Sequence, residues 1–374
     1  MAAVVGGPGD PAGDAPDSTA SQVLPRKLQL PSGLIDVPIC ESILTKEMRL
    51  ILSIDGSEMS MTALAFVTEG VMQHDKATFV EVLHIYDESK DHLPVHCQKV
   101  ALMATCDAIM TGSVSAHRYQ LNWVQRKGAG TTGQQICDAI RTLPADYICM
   151  GFYGLKGKKD YTDIMGTKLS TNVFNALHHG NGCSVICIKD EILGLLPLKE
   201  KHATFVVSVT LSKSSTKAFL DAVRLSKAGD AIHVVYVGRT RSDNYVWEPA
   251  ADEPRDFAAE TRAKYESFIS SLQDEAEPIF SRFRDRELKF VLLSPDQGET
   301  LARSVVRYAD EVNADFVVVG ANASDRVARD KTPVGSVSLQ MCFLTSRNFI
   351  VANWIDVSLR VYDQTVMSSR EQKA

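Results

Sequence analysis

The chain has 374 residues, a formal net charge of -6, and 45% hydrophobic and 23% charged residues, which is enough for two ordinary domains, each with its own core. The acidic balance argues against a general nucleic-acid binder, which would show a basic face. No apolar run approaches the ~20 residues of a membrane span, and the N-terminus lacks the basic-then-apolar order of a secretory signal.

Residues 1 to about 30 are rich in Gly, Pro, Ala and Asp, and the sequence predicts a disordered leader over 1–44. Arg49 to Ile54 is a compact apolar run ending at Asp55-Gly56-Ser57, so it reads as a buried strand. Ser57 is a suitable N-cap for a helix over Glu58 to Met72. Strands are then expected at Thr78–Tyr86, Arg118–Gln125, Asp146–Met150 and Cys183–Ile188. Helices are expected at about Gln98–Met110, Thr131–Arg141 and Lys168–Leu177. Strands alternating with helices predict parallel strands and a doubly wound α/β domain. In such a sheet the ligand sits beyond the carboxyl ends of the strands, at the switch point. Asp55 and Gly151 both lie just past a strand.

One stretch has the layout of an anion site. The strand ending at Met150 runs into Gly151 and Gly154, then a loop with Lys156, Lys158 and Lys159, then Gly166-Thr167 at a helix start. Glycines let the backbone approach an anion closely, and a helix N-terminus offers unpaired N–H groups to it. After a linker at 191–201 the pattern returns. Thr204–Val209 matches the first strand, Ala314–Gly320 matches Ala145–Gly151, and Gly335-Ser336 matches Gly166-Thr167. The distance from first to last glycine is fifteen positions in both copies. This is a two-copy domain repeat, since solenoid units are much shorter. The second copy carries a polar excursion over Gly238–Pro254 and an amphipathic helix over Phe257–Phe283, whose apolar positions Phe257, Tyr265, Phe268, Ile269, Leu272 and Ile279 either pack on the sheet or bind a partner.

The chain resembles a tandem universal stress protein, with two such domains over 45–190 and 202–356 and a tail over 357–374. The residues that carry the resemblance are ILSIDGSEMSMTAL, ADYICMGFYG and MGTKLS in the first copy, and ADFVVVGANA and VGSVSLQMCF in the second. It implies two doubly wound, Rossmann-like domains of the adenine nucleotide alpha-hydrolase-like type, and binding of ATP or AMP in a stress-response or signalling module. Carried onto this chain, Asp55 would face the adenosine, and Gly56 and Ser57 would belong to the same nucleotide-binding set. Leu83 and Met150 would line the base pocket, and Gly151, Gly154, Gly166 and Thr167 would cradle the phosphates. A second site would use Gly320, Gly335, Ser336 and Ser338. The loop before the last glycine is two residues longer than the family's pattern in both copies. In the second copy Thr210 stands for the aspartate and Ala323 for the second glycine, so the first copy is the expected binder.

Single features divide between two readings. Asp55 is either an adenosine contact or a turn residue before the first helix. The loop lysines either meet phosphate or are solvated. Asp160 and Asp163 could assist a Mg²⁺ accompanying the nucleotide, but no metal site of the protein's own is expected. His84 and His233 read as hydrogen-bonded core histidines. Eight cysteines without a CxxC pair read as reduced structural thiols. No nucleophile–base set and no GK[ST] loop ending is present, so binding is favoured over turnover and no catalytic residue is assigned. The competing readings are a nucleotide-free interaction scaffold, in which Cys183–Ile188 and Phe349–Asn353 pair edge to edge within one chain, and a slow ATPase. A cytoplasmic protein is expected, with an adenine nucleotide and a protein partner or second copy as partners and neither nucleic acid nor membrane.

Overall fold

The computed structural model describes residues 34–89, 92–126, 131–154, 176, 183–189, 201–238, 257–273, 282–321 and 334–354. In the first half the elements are α1 (Val37–Thr45), β1 (Arg49–Ser53), α2 (Glu58–Ala65), β2 (Phe79–Tyr86), α3 (Lys99–Ser113), β3 (Tyr119–Gln125), α4 (Thr132–Thr142), β4 (Tyr147–Gly151) and β5 (Ser184–Ile188). The second half has β6 (Thr204–Ser208), α5 (Lys213–Leu225), β7 (Ala231–Val237), α6 (Phe257–Gln273), β8 (Glu287–Leu293), α7 (Leu301–Glu311), β9 (Phe316–Gly320), α8 (Ser336–Leu344) and β10 (Asn348–Ala352).

All ten strands form one sheet in the order β3-β2-β1-β4-β5-β10-β9-β6-β7-β8. Within each half every pairing is parallel. The residue choice follows from position. Strands buried on both faces read as continuous apolar runs, and β4, β5, β9 and β10 are buried almost throughout, whereas the outer strands β3 and β8 are half-exposed. Helices α1, α2, α3, α5 and α6 cover one face with a core that includes Leu64, Phe219 and Phe268. Helices α4, α7 and α8 cover the other with Ile136, Val305 and Met341. The expected doubly wound α/β architecture, repeated in tandem, is therefore present. All eight cysteines are free and buried.

The halves meet at β5 and β10, the only antiparallel pair among the described residues. Phe349 faces Cys187, Ile350 faces Ile186, and Val351 faces Val185. Ile186 and Ile350 are equivalent positions of the two copies, so a local two-fold axis passes through their pairing. This is the edge-to-edge pairing expected of a chain that closes its own edges.

The seam is not equally apolar on both sides of that axis. Phe66, at the end of α2, packs on Phe316 of β9 with ring centroids 5.1 Å apart. At the equivalent place, Asp221 of α5 meets Tyr147 of β4. The Asp221 carboxylate is fully buried. It accepts the Tyr147 hydroxyl at 2.6 Å and the Ser184 hydroxyl at 2.7 Å, and pairs with Lys217. Burial and the neighbouring Asp221 raise the Tyr147 phenol well above its ordinary pKa.

Two expectations need correction. The leader over 1–44 is not disordered at its end. Val37–Thr45 is helical, with Pro38 in its first turn, where a missing N–H costs nothing. Cys40, Ile43 and Leu44 are buried, and the helix packs on α5 and α6 of the opposite half. Its apolar residues could not be left in water once a surface on the second half was there to receive them. The helix after β1 is not one regular helix either. Past Ala65 it widens into a π-helical segment, Phe66–Val71, before ending at His74.

Candidate functional site

In the strand order of each half the chain reverses direction between the first and fourth strands, the place where a doubly wound sheet binds its ligand. In the first half that point lies between β1 and β4, and the sequence places Asp55 and Gly151 at it. The chain leaves β1 still paired to β2, Ile54 N–H donating to the Leu83 carbonyl at 2.9 Å. It then turns at Gly56, whose φ is +82°. A side chain there would be strained, and its Cβ would lie 2.9 Å from the Cys97 backbone. Ser57 caps α2, accepting from Ser60 N–H at 3.4 Å.

Ser57 also fixes Asp55. Its backbone N–H and its hydroxyl donate to one Asp55 carboxylate oxygen at 3.0 and 2.5 Å. The other carboxylate oxygen lies against Gly154: a Cβ on Gly154 would be 2.6 Å from it. Gly151 serves a different purpose. A Cβ there would meet the Met59 and Ser60 backbone at 2.9 Å, so this glycine lets the α2 N-terminus approach β4. Leu83 and Met150 are buried and stand in register on either side of Ser53. They belong to the cluster that also contains Ile136 and Ile140 of α4. Asp55, Gly56, Ser57, Gly151 and Gly154 are thus brought to one rim, with Leu83 and Met150 beside it. Gly166, Thr167, the lysines at 156, 158 and 159, Asp160 and Asp163 lie outside the described residues.

The second half builds the same rim without the carboxylate. Thr210 stands where Asp55 stands, its hydroxyl 3.1 Å from that of Ser212, and Ser212 and Ser215 form a capping box for α5. The fully buried Tyr265 of α6 donates to the Thr210 carbonyl at 3.0 Å. Gly320 repeats Gly151: a Cβ would be 2.6 Å from the Ser214 backbone. Gly335 caps α8, and Ser336 is exposed in its first turn. Ser338, expected to face a ligand, instead donates its hydroxyl to the Gly320 carbonyl at 2.7 Å.

Other residues at the first rim carried no recognisable signal. The Tyr153 carbonyl accepts from Ser57 Oγ at 3.3 Å. Lys189 leaves β5 and donates to the Cys342 and Thr345 carbonyls at 2.6 and 2.8 Å, which closes the last turn of α8. Its ammonium lies 4.2 Å from the Phe152 ring and 4.9 Å from the Phe349 ring, and burial lowers its pKa. The residue after Gly151 is thereby tied to the helix that Gly335 begins. The two strand histidines are buried and hydrogen-bonded as expected. His84 Nδ1 lies 2.8 Å from the Ile54 carbonyl, and His233 Nδ1 lies 2.9 Å from the Tyr308 hydroxyl. Among the described residues no group of three His, Cys, Asp or Glu side chains could hold a metal ion. No helix among them is long and apolar enough to cross a membrane.

The architecture so defined is a Rossmann-like α/β unit doubled within one chain. Residues 203–341 match the model of the Universal stress protein family. Over that stretch the chain is similar to the universal stress protein family, and the first half repeats the strand order of the second. Among solved structures, a universal stress protein from Archaeoglobus fulgidus DSM 4304 is similar over 83% of this chain and 98% of its own, with 15% identity and a TM-score of 0.52. Universal stress protein UspA from Lactobacillus plantarum covers 41% of this chain and 99% of its own, at 19% identity and a TM-score of 0.29. A universal stress protein solved in complex with cAMP covers 41% and 97%, at 21% identity and a TM-score of 0.26. Comparison with curated protein sequences gives no match.

Proposed function

We propose that the protein is a nucleotide-responsive module whose first half binds an adenine nucleotide, ATP or AMP, in the crevice between β1 and β4. The observation that carries this reading is the fixed carboxylate of Asp55 against the bare backbone of Gly154 at the switch point. A carboxylate held by Ser57 is a prepared acceptor for the hydroxyl groups of a ribose. Gly154, without a side chain, leaves the room at the rim that this carboxylate takes up. The match of residues 203–341 to the universal stress protein family supports the same class of ligand. In this reading Gly166 and Thr167 hold the phosphates, with Mg²⁺ accompanying ATP. The second half is the weaker binder because Thr210 brings no charge and Ser338 is engaged with Gly320. The protein acts by binding and not by turnover, in the cytoplasm, and a protein partner reads the occupied state.

Isothermal titration calorimetry of the full chain with ATP and AMP tests the reading. Binding is expected in wild type and is lost in Asp55→Ala. Absence of any heat or thermal shift with either nucleotide on folded wild-type protein removes it. A second reading, a nucleotide-free scaffold, is favoured by the intrachain β5–β10 seam, which already closes the edge that a partner strand would use. It predicts that protein purified without added nucleotide releases no adenine compound on denaturation and that ATP has no effect on Tm. A slow ATPase would show phosphate release that Gly166→Val abolishes.

A further inference from the structure

We propose that residues 190–200, the chain between the two halves, dock on the outer surface of α2 and α3 in the first half, as the two-fold counterpart of α1 on α5 and α6. The inference stands apart from the nucleotide reading. It rests on the local two-fold axis and on a difference in cover between two equivalent surfaces.

The equivalence runs residue for residue ahead of each half. Lys46 pairs with Asp146, and Lys201 pairs with Asp315. The Asp146 N–H donates to the Arg49 carbonyl at 2.8 Å, and the Asp315 N–H to the Thr204 carbonyl at 2.9 Å. Ser57 caps α2 and Ser212 caps α5. One offset relates Lys46 to Lys201, Arg49 to Thr204 and Ser57 to Ser212. It carries α1, Val37–Thr45, onto residues 192–200, ILGLLPLKE. Cys40 falls on Leu195, Glu41 on Leu196 and Ile43 on Leu198.

The two receiving surfaces differ in exposure. On α5 the stripe Thr216, Leu220 and Arg224 is at most 1% exposed, and α1 lies over α5 and α6. The Arg224 guanidinium donates to the Lys46 carbonyl at 2.7 Å, where α1 runs toward β1. The same offset carries this stripe onto Met61, Ala65 and Glu69. There Met61 and Ala65 are half-exposed and Glu69 is exposed. On the neighbouring α3, Ile109 is half-buried and Val100 and Met103 are 79% and 43% exposed. An exposed apolar patch of this kind marks an interaction surface.

The chain itself supplies the occupant. Ile192, Leu193, Leu195, Leu196 and Leu198 fall within the eleven residues 190–200, and so many apolar side chains gain by leaving water. The flanking residues stand where such a course requires. The Lys189 backbone N–H donates to Asn348 Oδ1 on β10. Asn348 stands opposite Phe316 of β9, and Phe316 opposite Phe205 of β6. Three strand spacings, about 15 Å, therefore separate the two ends, whereas eleven residues reach about 36 Å when extended. The slack allows a course over α2. The chain returns at Lys201 and Ala203, which share a crevice with Phe66 and His74 at the end of the α2 helix. Each half is then held by the segment that leads into the other.

Thiol labelling of the full chain tests this, since the eight native cysteines are buried. Leu195→Cys, Leu196→Cys and Leu198→Cys place probes at three leucines that composition does not distinguish. Their α1 counterparts do: Cys40 and Ile43 are buried, and Glu41 is exposed. A maleimide is expected to label Leu196→Cys about ten-fold or more faster than the other two, which react only after a local opening. Ala65→Arg puts a charged side chain on the receiving surface and is expected to bring Leu195→Cys up to the rate of Leu196→Cys. Equal labelling at all three positions, or protection that survives Ala65→Arg, overturns the proposal. Protection lost on dilution also overturns it, because a second copy would then be the occupant. Should Ala65→Arg fail to fold, a short bis-maleimide decides. It must join Ala65→Cys to Leu195→Cys within one chain in preference to Gln125→Cys on the outer strand β3, and equal joining overturns the proposal.

Discussion

At the scale of single residues, the two glycines of the first rim do different work, and substitution should separate them. Gly151 faces backbone: Met59 and Ser60 lie 2.9 Å from the position of an added Cβ. Backbone cannot yield cheaply, so Gly151→Ala is expected to destabilise the fold by about 2 kcal/mol, read as a lower midpoint in urea unfolding. Gly154 faces only the end of the Asp55 side chain, 2.6 Å away. Gly154→Ala should displace that carboxylate from Ser57 at a smaller cost in stability, while nucleotide affinity falls at least ten-fold in calorimetry. Equal losses of affinity in both variants, scaled by their stability, would mean that Gly154 is a packing glycine and that Asp55 is no contact. Two buried histidines and the half-buried His74 give a pH dependence. Burial lowers the pKa of His74, His84 and His233 from 6.5. A histidine with a depressed folded pKa binds its proton more readily when unfolded, so stability rises with pH through this window. The contribution is complete above about pH 6.5 and is lost as pH falls toward the folded values. Tm measured from pH 7.5 down to 5.5 is expected to decline, and His84→Gln to flatten part of that decline.

At the scale of elements, most of the architecture was legible because the strands are continuous apolar runs bounded by turns. β4 and β9 could be found from Tyr147–Met150 and Phe316–Val319 alone, since a strand buried on both faces has no polar position to blur it. The glycine spacing likewise announced a rim, because close backbone approach leaves few alternatives to glycine. What was not legible depends on contacts far apart in the chain. The apolar pairs of α1 made sense only once α5 and α6 were in place to cover them. Nothing local marks the π-helical turn at Phe66–Val71. Asp221 sits on α5 among alanines and leucines, and only its neighbours across the seam, Tyr147 and Ser184, explain it. That network is expected to carry real stability. Asp221→Ala removes the carboxylate and leaves Lys217 and the Tyr147 hydroxyl without it, which should cost about 4 kcal/mol. Tyr147→Phe, which leaves Asp221 still held by Ser184 and Lys217, should cost about 1 kcal/mol. A Tyr147→Phe loss as large as that of Asp221→Ala in chemical unfolding would show that the phenol, and not the carboxylate, organises the group.

At the scale of the whole molecule, ten strands in one sheet make the two halves a single structural body, and the seam is the place to ask whether they are also a single cooperative one. Ile186 and Ile350 face each other on the local two-fold axis, and both are fully buried. Around them the contacts that cross between halves are of several kinds: the backbone ladder of β5 and β10, the tilted Phe66–Phe316 ring contact, the Asp221 network, Lys189 on the α8 carbonyls, and α1 on α5 and α6. Neither half can lose its partner without exposing a central strand edge and an apolar helix face, so the intact chain is expected to unfold in one transition by differential scanning calorimetry. Ile186→Asp tests this at the axis. A carboxyl group placed between β4 and β10, opposite Ile350, has no polar partner there and must be buried neutral or break the pairing, at about 3–5 kcal/mol either way. Because Ile186 belongs to the seam and not to either rim, the loss should fall on the coupling between halves first. The expected result is two separated transitions in place of one, with AMP raising the transition of the first half and leaving the second where it was. A single, merely lowered transition in Ile186→Asp would mean that the halves have no independent stability, and that the crossing contacts are part of each half's own fold.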